Sequence, residues 1–432
     1  MDVSGLLRLR EVAWVVATAL TVGASMAILS DRAQAAEVAP APATLRAALQ
    51  AAWSRHPLSA ATDGRLSAAH ARTDAASQPL YNPDLEIDAD DEGPDRTITA
   101  GVGLTLDLAG KRKARAGAAS AQLEAVTAEA NLRRRDFAQA WLNAWTATTT
   151  AERRVSLAEQ RLALIARFAD LADRQFEVGD ISSLDRDLAW LARDEAAAER
   201  ASLSAELAAA REALWRVDSQ AATSARPGFP TAASLPAKAD AGLVLEALPE
   251  WILARAEAEF AEAQVTVAER DRVADPTVAL RGGRIDLADG GRDDVFGLSV
   301  TVPLFVRNSF RAELLAAKAD ARVAASDLAR LRLDLEARAA RAVATYQAVH
   351  EAWATWQKSP GTDVERRAGL LERLWRAGEL STTDYLLQLQ QTLDTALAGA
   401  DLEGRLWSSY ADYLAATGQL DDWLGLAAER SE

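Results

Sequence analysis

Cysteine is absent from the 432-residue chain, which has only three histidines and two methionines. The missing thiol excludes disulfides, thiolate metal sites, a cysteine nucleophile and a lipid-modified N-terminal cysteine. With so few histidines, a histidine-rich metal centre is not expected. Acidic residues outnumber basic ones by 63 to 48, for a net charge of −15. This balance argues against nucleic-acid binding, which requires a basic surface.

The apolar residues come mostly from alanine and leucine, and they make up 49% of the chain. Aromatic residues account for only 6%, and charged residues for 26%. This composition is typical of long helices and not of a mixed globular enzyme.

Residues 1–35 have the pattern of an export signal. Arg8 and Arg10 precede an uncharged stretch at 12–29, and Ala33-Gln34-Ala35 supplies a signal-peptidase site. We expect cleavage after Ala35, with an uncleaved anchor as the alternative. No later stretch reaches the roughly 20 apolar residues of a membrane helix. Any membrane that the mature chain spans must therefore be crossed by strands.

The chain repeats one order of signals: helix, two strands, long helix, tight turn and second long helix. The paired landmarks are Pro57 and Pro249, Asn82-Pro83 and Asp275-Pro276, Thr105 and Thr301, and Gly179 and Gly378. A tandem duplication with a period of roughly 195 residues is the simplest explanation. We therefore predict a signal peptide at 1–35, a first repeat at 36–226, a proline-rich linker at 227–241, a second repeat at 242–420 and a tail at 421–432.

Each repeat contains a long stretch without glycine or proline. The first runs from Ala118 to Val178, and the second from Phe310 to Ser359, before a break at Pro360-Gly361. The first would form a helix about 90 Å long at 1.5 Å per residue. Its apolar residues keep the 3-4 spacing of a coiled coil. These rods are too long for a compact domain.

The strand segments alternate apolar and polar residues. Every second residue is apolar from Thr97 to Leu108, and again from Phe296 to Leu304. Shorter alternating segments precede them at 85–90 and 278–280, the second of which ends at Gly282-Gly283, where we expect a bulge. Strands of about ten residues with two unlike faces suit a membrane β-barrel. They equally suit an amphipathic sheet packed on a helical core.

Four strands cannot close a barrel by themselves, because about eight is the smallest number that closes. An open edge cannot lie in lipid either, since its backbone groups would be unsatisfied. If these strands span a membrane, three chains must pool twelve of them, and the long helices would then form a tube. The predicted fold class is mainly α with transmembrane β, in a tandem-duplicated protomer.

Several motifs resemble the TolC-type outer-membrane factor family. They are Asn82-Pro83-Asp84-Leu85-Glu86, the Leu106–Arg112 stretch before the first long helix, the Val302–Asn308 stretch, and the two Gly-[Asp/Glu]-[Ile/Leu]-Ser turns. The first two resemble most the branch serving cobalt–zinc–cadmium and copper–silver efflux pumps. The resemblance covers about residues 44–420, and the order of its motifs is its specific feature.

The resemblance implies a homotrimer with a 12-stranded barrel in the Gram-negative outer membrane and a periplasmic α-helical tunnel. It implies a periplasmic adaptor and an inner-membrane transporter of the resistance-nodulation-division class as partners, with divalent heavy-metal cations as cargo. Many relatives carry a lipidated N-terminal cysteine. This chain has none, so its anchoring would depend on the barrel and the surrounding lipid.

No residue set predicts catalysis, a cofactor or a metal site. His56, His70 and His350 have no ligand spacing. The chain itself is therefore not expected to select a metal, and a passive duct is the expected function. One alternative keeps the duct and changes the cargo to organic drugs or a secreted protein. Another is an exported, non-conducting coiled-coil scaffold.

The two turns between long helices are candidate sites. Gly179 is expected to end one helix in the left-handed conformation, and Ser182 to cap the next with Asp185 in a capping box. Gly378, Ser381 and Asp384 repeat this spacing. Helix capping is a sufficient reason for both aspartates. They could also form rings at the periplasmic pore entrance.

The resemblance carries this functional interpretation further. In the family, entrance carboxylates occur six residues after this glycine, which matches Asp384, whereas the second carboxylate position is Leu387 here. The expected adaptor contacts are Arg174, Val178, Gly179, Asp180, Ser182, Arg373, Ala377, Gly378, Glu379 and Ser381.

A second candidate site lies in the first strand. Asp84, Glu86, Asp88 and Asp90 alternate with Leu85, Ile87 and Ala89. If the apolar residues face lipid, the carboxylates face the barrel lumen. Twelve carboxylates in a trimer would attract cations. The alternative is that this acidic run lies in a solvated loop or rim.

Overall fold

The computed structural model describes residues 39–93, 95–223, 226–237, 242–287, 289–358 and 364–426. The predicted signal peptide, its cleavage after Ala35 and the break at Pro360-Gly361 lie outside these ranges. Within them, no helix combines the length and the apolar character needed to cross a membrane.

Both halves of the chain place a pair of strands between helices, although the number of helices on either side differs. The first half contains α1 (Ala43–Arg55), α2 (Pro57–Ser77), β1 (Asp84–Glu92), β2 (Asp95–Thr105), α3 (Lys111–Glu177) and α4 (Ser183–Val217). The second contains α5 (Pro249–Asp271), β3 (Thr277–Asp286), β4 (Arg292–Thr301), α6 (Arg311–Gln357), α7 (Val364–Arg376), α8 (Thr382–Thr417) and α9 (Leu420–Leu424). The predicted protomer, mainly helical with a small four-stranded sheet, is confirmed.

Helix α3 is the longest element, with 67 residues. At 1.5 Å per residue it is about 100 Å long. Asp107 defines its start, since its carboxylate accepts the backbone N–H groups of Lys111 and Arg112 at 2.8 and 2.9 Å. Helices α4, α5 and α8 pack along it. The two halves are therefore joined through one rod.

The four strands form an antiparallel sheet in the order β1-β2-β3-β4. The predicted bulge at Gly282-Gly283 is wrong, because β3 pairs residue by residue with both neighbours through this point. A Cβ on Gly283 would lie 2.0 Å from the backbone oxygen of Ile98. The glycine therefore permits a close approach of two strands and does not interrupt the pairing.

Strands β2 and β4 end earlier than the alternation of their sequences predicts. β2 ends at Thr105 and β4 at Thr301, and not at Leu108 and Leu304. After β2, the chain turns so that Asp107 can cap α3. After β4, Pro303 cannot donate a ladder hydrogen bond.

The main hydrophobic core lies where α1 and α9 pack against α3, α6 and α8. Trp141 of α3 and Tyr346 of α6 are fully buried there, beside Tyr413 and Leu414 of α8. The Tyr346 hydroxyl donates to the backbone oxygen of Pro236, at 2.7 Å. This bond attaches the segment that joins the two halves to the core.

Asp421, in the first turn of α9, is a poorly satisfied carboxylate next to this core. One of its oxygens has no hydrogen-bond partner among the described residues. Burial raises the pKa of Asp421 to about 6; Asp422 and Glu250 act in the same direction, whereas Arg135 and Arg134 oppose the shift. Compared with the unfolded chain, the folded protein therefore favours the neutral form of the Asp421 carboxyl.

Asp421→Asn is expected to stabilise the protein above pH 6 by about 3 kcal/mol, since a shift of one pKa unit corresponds to about 1.4 kcal/mol. Because the pKa is raised in the folded state, the contribution of the neutral carboxyl to stability is fully present below the unfolded-state pKa. This contribution is lost as the pH rises through about 6. The benefit of the amide should therefore vanish near pH 4. Thermal unfolding in detergent at both pH values checks this, with Asp63→Asn, an exposed aspartate of α2, as the control. Equal effects at the two pH values would contradict it.

Candidate functional site

One face of the sheet is apolar and exposed. Cross-strand partners lie on the same face, so the register groups Leu85, Ile87, Ile98, Val102, Leu104, Leu280, Phe296, Leu298 and Val300. Leu85 is 72% exposed, Leu298 69% and Phe296 86%. An apolar surface this continuous is a site for a membrane or a partner. The sheet is therefore not packed on the helical core through this face.

Charged pairs border this apolar face near the hairpin tips. Arg292 lies 3.0 Å from Asp286, and Arg284 lies 3.6 Å from Asp294. The apolar face thus has a polar rim at the end of the sheet away from the helices.

The opposite face carries the predicted acidic residues. Asp84, Glu86, Asp88 and Asp90 lie within β1, opposite Gly103, Gly101, Thr99 and Thr97 of β2. They are therefore strand residues, and the alternative of a loop does not hold. β1 is an edge strand, so this row of carboxylates runs along one margin of the sheet.

Arg281 also lies on this polar face, and the sequence prediction missed it. Its partners are Gly101 on β2 and Gly297 on β4. The sequence pattern could have found it. Val278 and Leu280 lie on the apolar face, so the period of two places residue 281 on the opposite face, with the carboxylates. The predicted lumen wall therefore contains a cation as well as acids.

The two turns between long helices have the predicted geometry. Gly179 and Gly378 adopt positive φ values of 87° and 75°. The N–H of Asp180 donates to the oxygen of Gln175 at 2.8 Å, and that of Glu379 to the oxygen of Leu374 at 3.0 Å. These bonds satisfy carbonyls at the helix ends, as in a Schellman motif.

Both serine caps are also present. Ser182 accepts from the N–H of Asp185 at 3.2 Å, and the Asp185 carboxylate accepts from the N–H of Ser182 at 3.3 Å. Ser381 accepts from the N–H of Asp384 at 3.0 Å. The reciprocal capping box is thus present at Asp185, whereas the Asp384 carboxylate accepts from the Ser381 hydroxyl at 2.7 Å. The pore-entrance role of both aspartates stays a prediction.

The fold brings the two turns to one end of the molecule. Ile181 and Leu380, one from each turn, pack against the same buried cluster, which contains Phe168, Leu371 and Leu389. Val178 and the serine caps remain exposed beyond it. The predicted adaptor-contact residues of both halves therefore lie near each other at the helix turns.

The first turn also presents an aromatic–cation stack that the sequence prediction missed. The Arg186 guanidinium lies 4.3 Å from the centre of the Phe176 ring and 4.8 Å from that of Trp190. Trp190 donates to Asp173 at 3.2 Å. In the second half, the aromatic pair Trp375 and Tyr385 is buried instead. The two turns therefore have unlike surfaces.

Two arginines of α3 join this helix both to α4, its partner in the first helical hairpin, and to α8 of the second hairpin. Arg154 lies 2.5 Å from Glu206 of α4 and 3.2 Å from Asp401 of α8.

The second arginine repeats this arrangement one heptad along the helix. Arg161 lies 2.6 Å from Glu199 of α4 and 3.1 Å from Asp394 of α8. The two sets of ion pairs are therefore seven residues apart on each of the three helices, as in a coiled coil.

One of the three histidines has a local structural role. His56 caps α2 by accepting from the N–H of Leu58 at 3.2 Å. Within the described ranges, no group of three or more His, Asp or Glu residues could hold a metal ion.

Comparisons with known proteins agree with this architecture. No protein-family model matches the chain. It is 30% identical over 280 residues to the cobalt-zinc-cadmium resistance protein CzcC of Cupriavidus metallidurans. That match covers 62% of this chain and 65% of CzcC, so it spans less than two thirds of that relative.

Solved structures that match the fold include an outer-membrane protein and a protein that forms a transmembrane channel. VceC of Vibrio cholerae superposes with a TM-score of 0.70 and 19% identity, covering 87% of this chain and 96% of VceC. CusC superposes with a TM-score of 0.68 and 14% identity, covering 87% and 92%. The chain therefore has their fold, and the predicted resemblance is confirmed at the level of the fold.

Proposed function

We propose that this chain, which has the protomer fold of the TolC-type outer-membrane factors, is one third of a passive exit duct in the outer membrane. Three copies would pool twelve strands into a barrel and align their long helices as a periplasmic tunnel. The duct would receive its cargo from a periplasmic adaptor and an inner-membrane transporter of the resistance-nodulation-division class. It performs no bond chemistry of its own.

The exposed apolar face of the sheet is the observation that carries this proposal. This face is continuous over four strands, whose outer edges on β1 and β4 are both unpaired. Lipid is the medium that covers such a face favourably, and unpaired edges in lipid require closure by further strands. Additional copies of the chain supply them. The scaffold alternative offers no cover for this face.

The site residues acquire roles within this duct. The β1 carboxylates Asp84, Glu86, Asp88 and Asp90 would line the lumen, because they lie opposite the lipid-facing side. Asp185 and Asp384 would lie at the periplasmic entrance. The exposed turns at Val178–Asp180 and Ala377–Glu379 would contact the adaptor.

Divalent heavy-metal cations are the cargo that the comparisons favour. The matched relative CzcC is a cobalt-zinc-cadmium resistance protein. An acidic lumen would also favour the exit of cations over anions. Organic drugs or a secreted protein remain the alternative cargo for the same duct.

The duct is tested by expressing the full chain in a Gram-negative host. We expect it in the outer-membrane fraction, as a detergent-soluble trimer that produces discrete conductance steps in planar lipid bilayers. A water-soluble monomer that produces no conductance would refute the proposal.

Deleting the gene and measuring growth on cobalt, zinc, cadmium and a panel of organic toxicants tests the cargo. Sensitivity to organic compounds alone would favour the alternative.

A further inference from the structure

Arg281 is a cation for which the described part of the chain supplies no counter-ion. Among the residues that the structure describes, it forms no ion pair within 4.0 Å. The same holds for the β1 carboxylates Asp84, Glu86, Asp88 and Asp90. These unpaired charges of opposite sign lie on one face of one sheet. Arg281 and the carboxylates are separated within the chain by β2, which presents Gly101 between Glu86 and Arg281.

The Arg281 side chain extends away from its own β1. A Cβ on Gly297 of β4 would lie 2.8 Å from Nε and 3.0 Å from Cγ of Arg281. On the other side, the three atoms nearest to a Cβ on Gly101 would be the Cβ and Cα of Arg281 and the backbone oxygen of Leu280. The long side chain therefore crosses β4 at Gly297, towards the free edge of the sheet. A side chain at position 297 would obstruct this path.

A second copy would place carboxylates at that edge. In the proposed trimer, β4 of one copy pairs antiparallel with β1 of the next. The apolar face stays continuous only if Leu298 lies opposite Leu85, Ile87 or Ala89, since a slip of one residue would reverse the faces. Gly297 then lies opposite Glu86, Asp88 or Asp90, respectively. Every register that keeps the faces matched thus puts an acid beyond Gly297.

We propose that Arg281 forms an ion pair across the seam between copies, with the β1 carboxylate of a second copy that lies opposite Gly297. The inference rests on the proposed trimer and identifies the contact that closes its wall. The pairs would neutralise three of the twelve carboxylates that line the lumen. Arg281 would thereby stabilise the assembly and moderate its preference for cations.

Charge reversal tests the pair. Arg281→Glu should lower the temperature at which the SDS-resistant trimer dissociates, because it puts like charges across the seam. Arg281→Glu is then combined in turn with Glu86→Arg, Asp88→Arg and Asp90→Arg. Only the double variant that changes the true partner residue should regain the heat resistance of the trimer. Ala279→Glu is the matched control, since it adds a negative charge to the same face of β3 and leaves Arg281 intact.

Chemical cross-linking identifies the chain to which the partner belongs. Arg281→Lys puts an amine at this position, which a carbodiimide couples to a carboxylate in contact. Covalent dimers and trimers on a denaturing gel, with the β3 peptide joined to a β1 peptide by mass spectrometry, are expected. The same adduct at monomer mass would mean that Arg281 meets its own Glu86, and would overturn the inference.

The outcomes separate this inference from the proposed function. A wild-type trimer that conducts, with Arg281→Glu equally heat-resistant and no interchain adduct, overturns the seam pair alone. A wild-type protein that is monomeric in detergent overturns both.

Discussion

Leu298→Arg is expected to abolish assembly and conductance. Leu298 lies on the apolar face of the edge strand β4 and is 69% exposed. In the proposed barrel this side chain faces lipid near the middle of the strand. Arginine on the lipid face costs about 2–4 kcal/mol at the bilayer midplane, and a trimer contains it three times. The amount of heat-resistant trimer in the outer-membrane fraction measures the effect.

The neighbouring residue supplies the control for this substitution. Ser299 lies on the opposite face of the same strand, and Ser299→Arg should assemble because the lumen is wet. It is expected to reduce the preference for cations and leave the trimer intact. If both variants assembled equally well, the apolar face would not be in lipid. A stable, water-soluble Leu298→Arg monomer that keeps its helical content would show that the sheet is not needed for folding the rods.

Lys111→Ala is expected to destabilise the fold by about 3–5 kcal/mol, the usual cost of leaving a buried charge unpaired. The Lys111 ammonium lies 2.9 Å from Asp275, and their side chains are 8% and 4% exposed. The Tyr81 hydroxyl donates to the same carboxylate at 2.7 Å, and this bond raises the pKa of Tyr81 to about 12. The cluster joins the start of α3 to the start of β3. Urea unfolding in detergent measures the loss.

One turn further along α3, Arg115 provides a matched control. It lies 3.4 Å from Asp271 in an exposed ion pair, for which a loss of at most about 1 kcal/mol is expected. The double variant Lys111→Met, Asp275→Leu should be more stable than either single variant, because it leaves no unpaired buried charge. Equal losses for Lys111→Ala and Arg115→Ala would mean that the cluster is not buried in the assembled protein.

Much of the fold could be predicted from the sequence because its signals are local. The absence of glycine and proline from Ala118 to Val178 predicts most of α3, although the helix begins earlier, at Lys111, and contains Gly117. Gly179 with Ser182 and Asp185 fixes its turn. Period-two alternation assigns the faces of the strands. These signals act over a few residues, so no tertiary information is needed to interpret them.

The remaining features depend on contacts between distant parts of the chain. Gly283 resembles a bulge residue in isolation, and only the backbone of β2 beside it shows that the strand is continuous. Lys111 and Asp275 belong to different repeats, and no spacing along the chain connects them. Arg281 lies among apolar and glycine residues, and its role depends on an edge that the single chain leaves open.

The heptad spacing of Arg154 and Arg161 has a mechanical consequence. Sliding α8 along α3 by less than seven residues separates both arginines from Asp401 and Asp394. A slide of seven residues, about 10 Å at 1.5 Å per residue, would re-form one of the two pairs. The hairpins therefore have discrete resting positions instead of a continuous range. Small thermal displacements return to the starting position, and only a displacement of about two helical turns reaches the next.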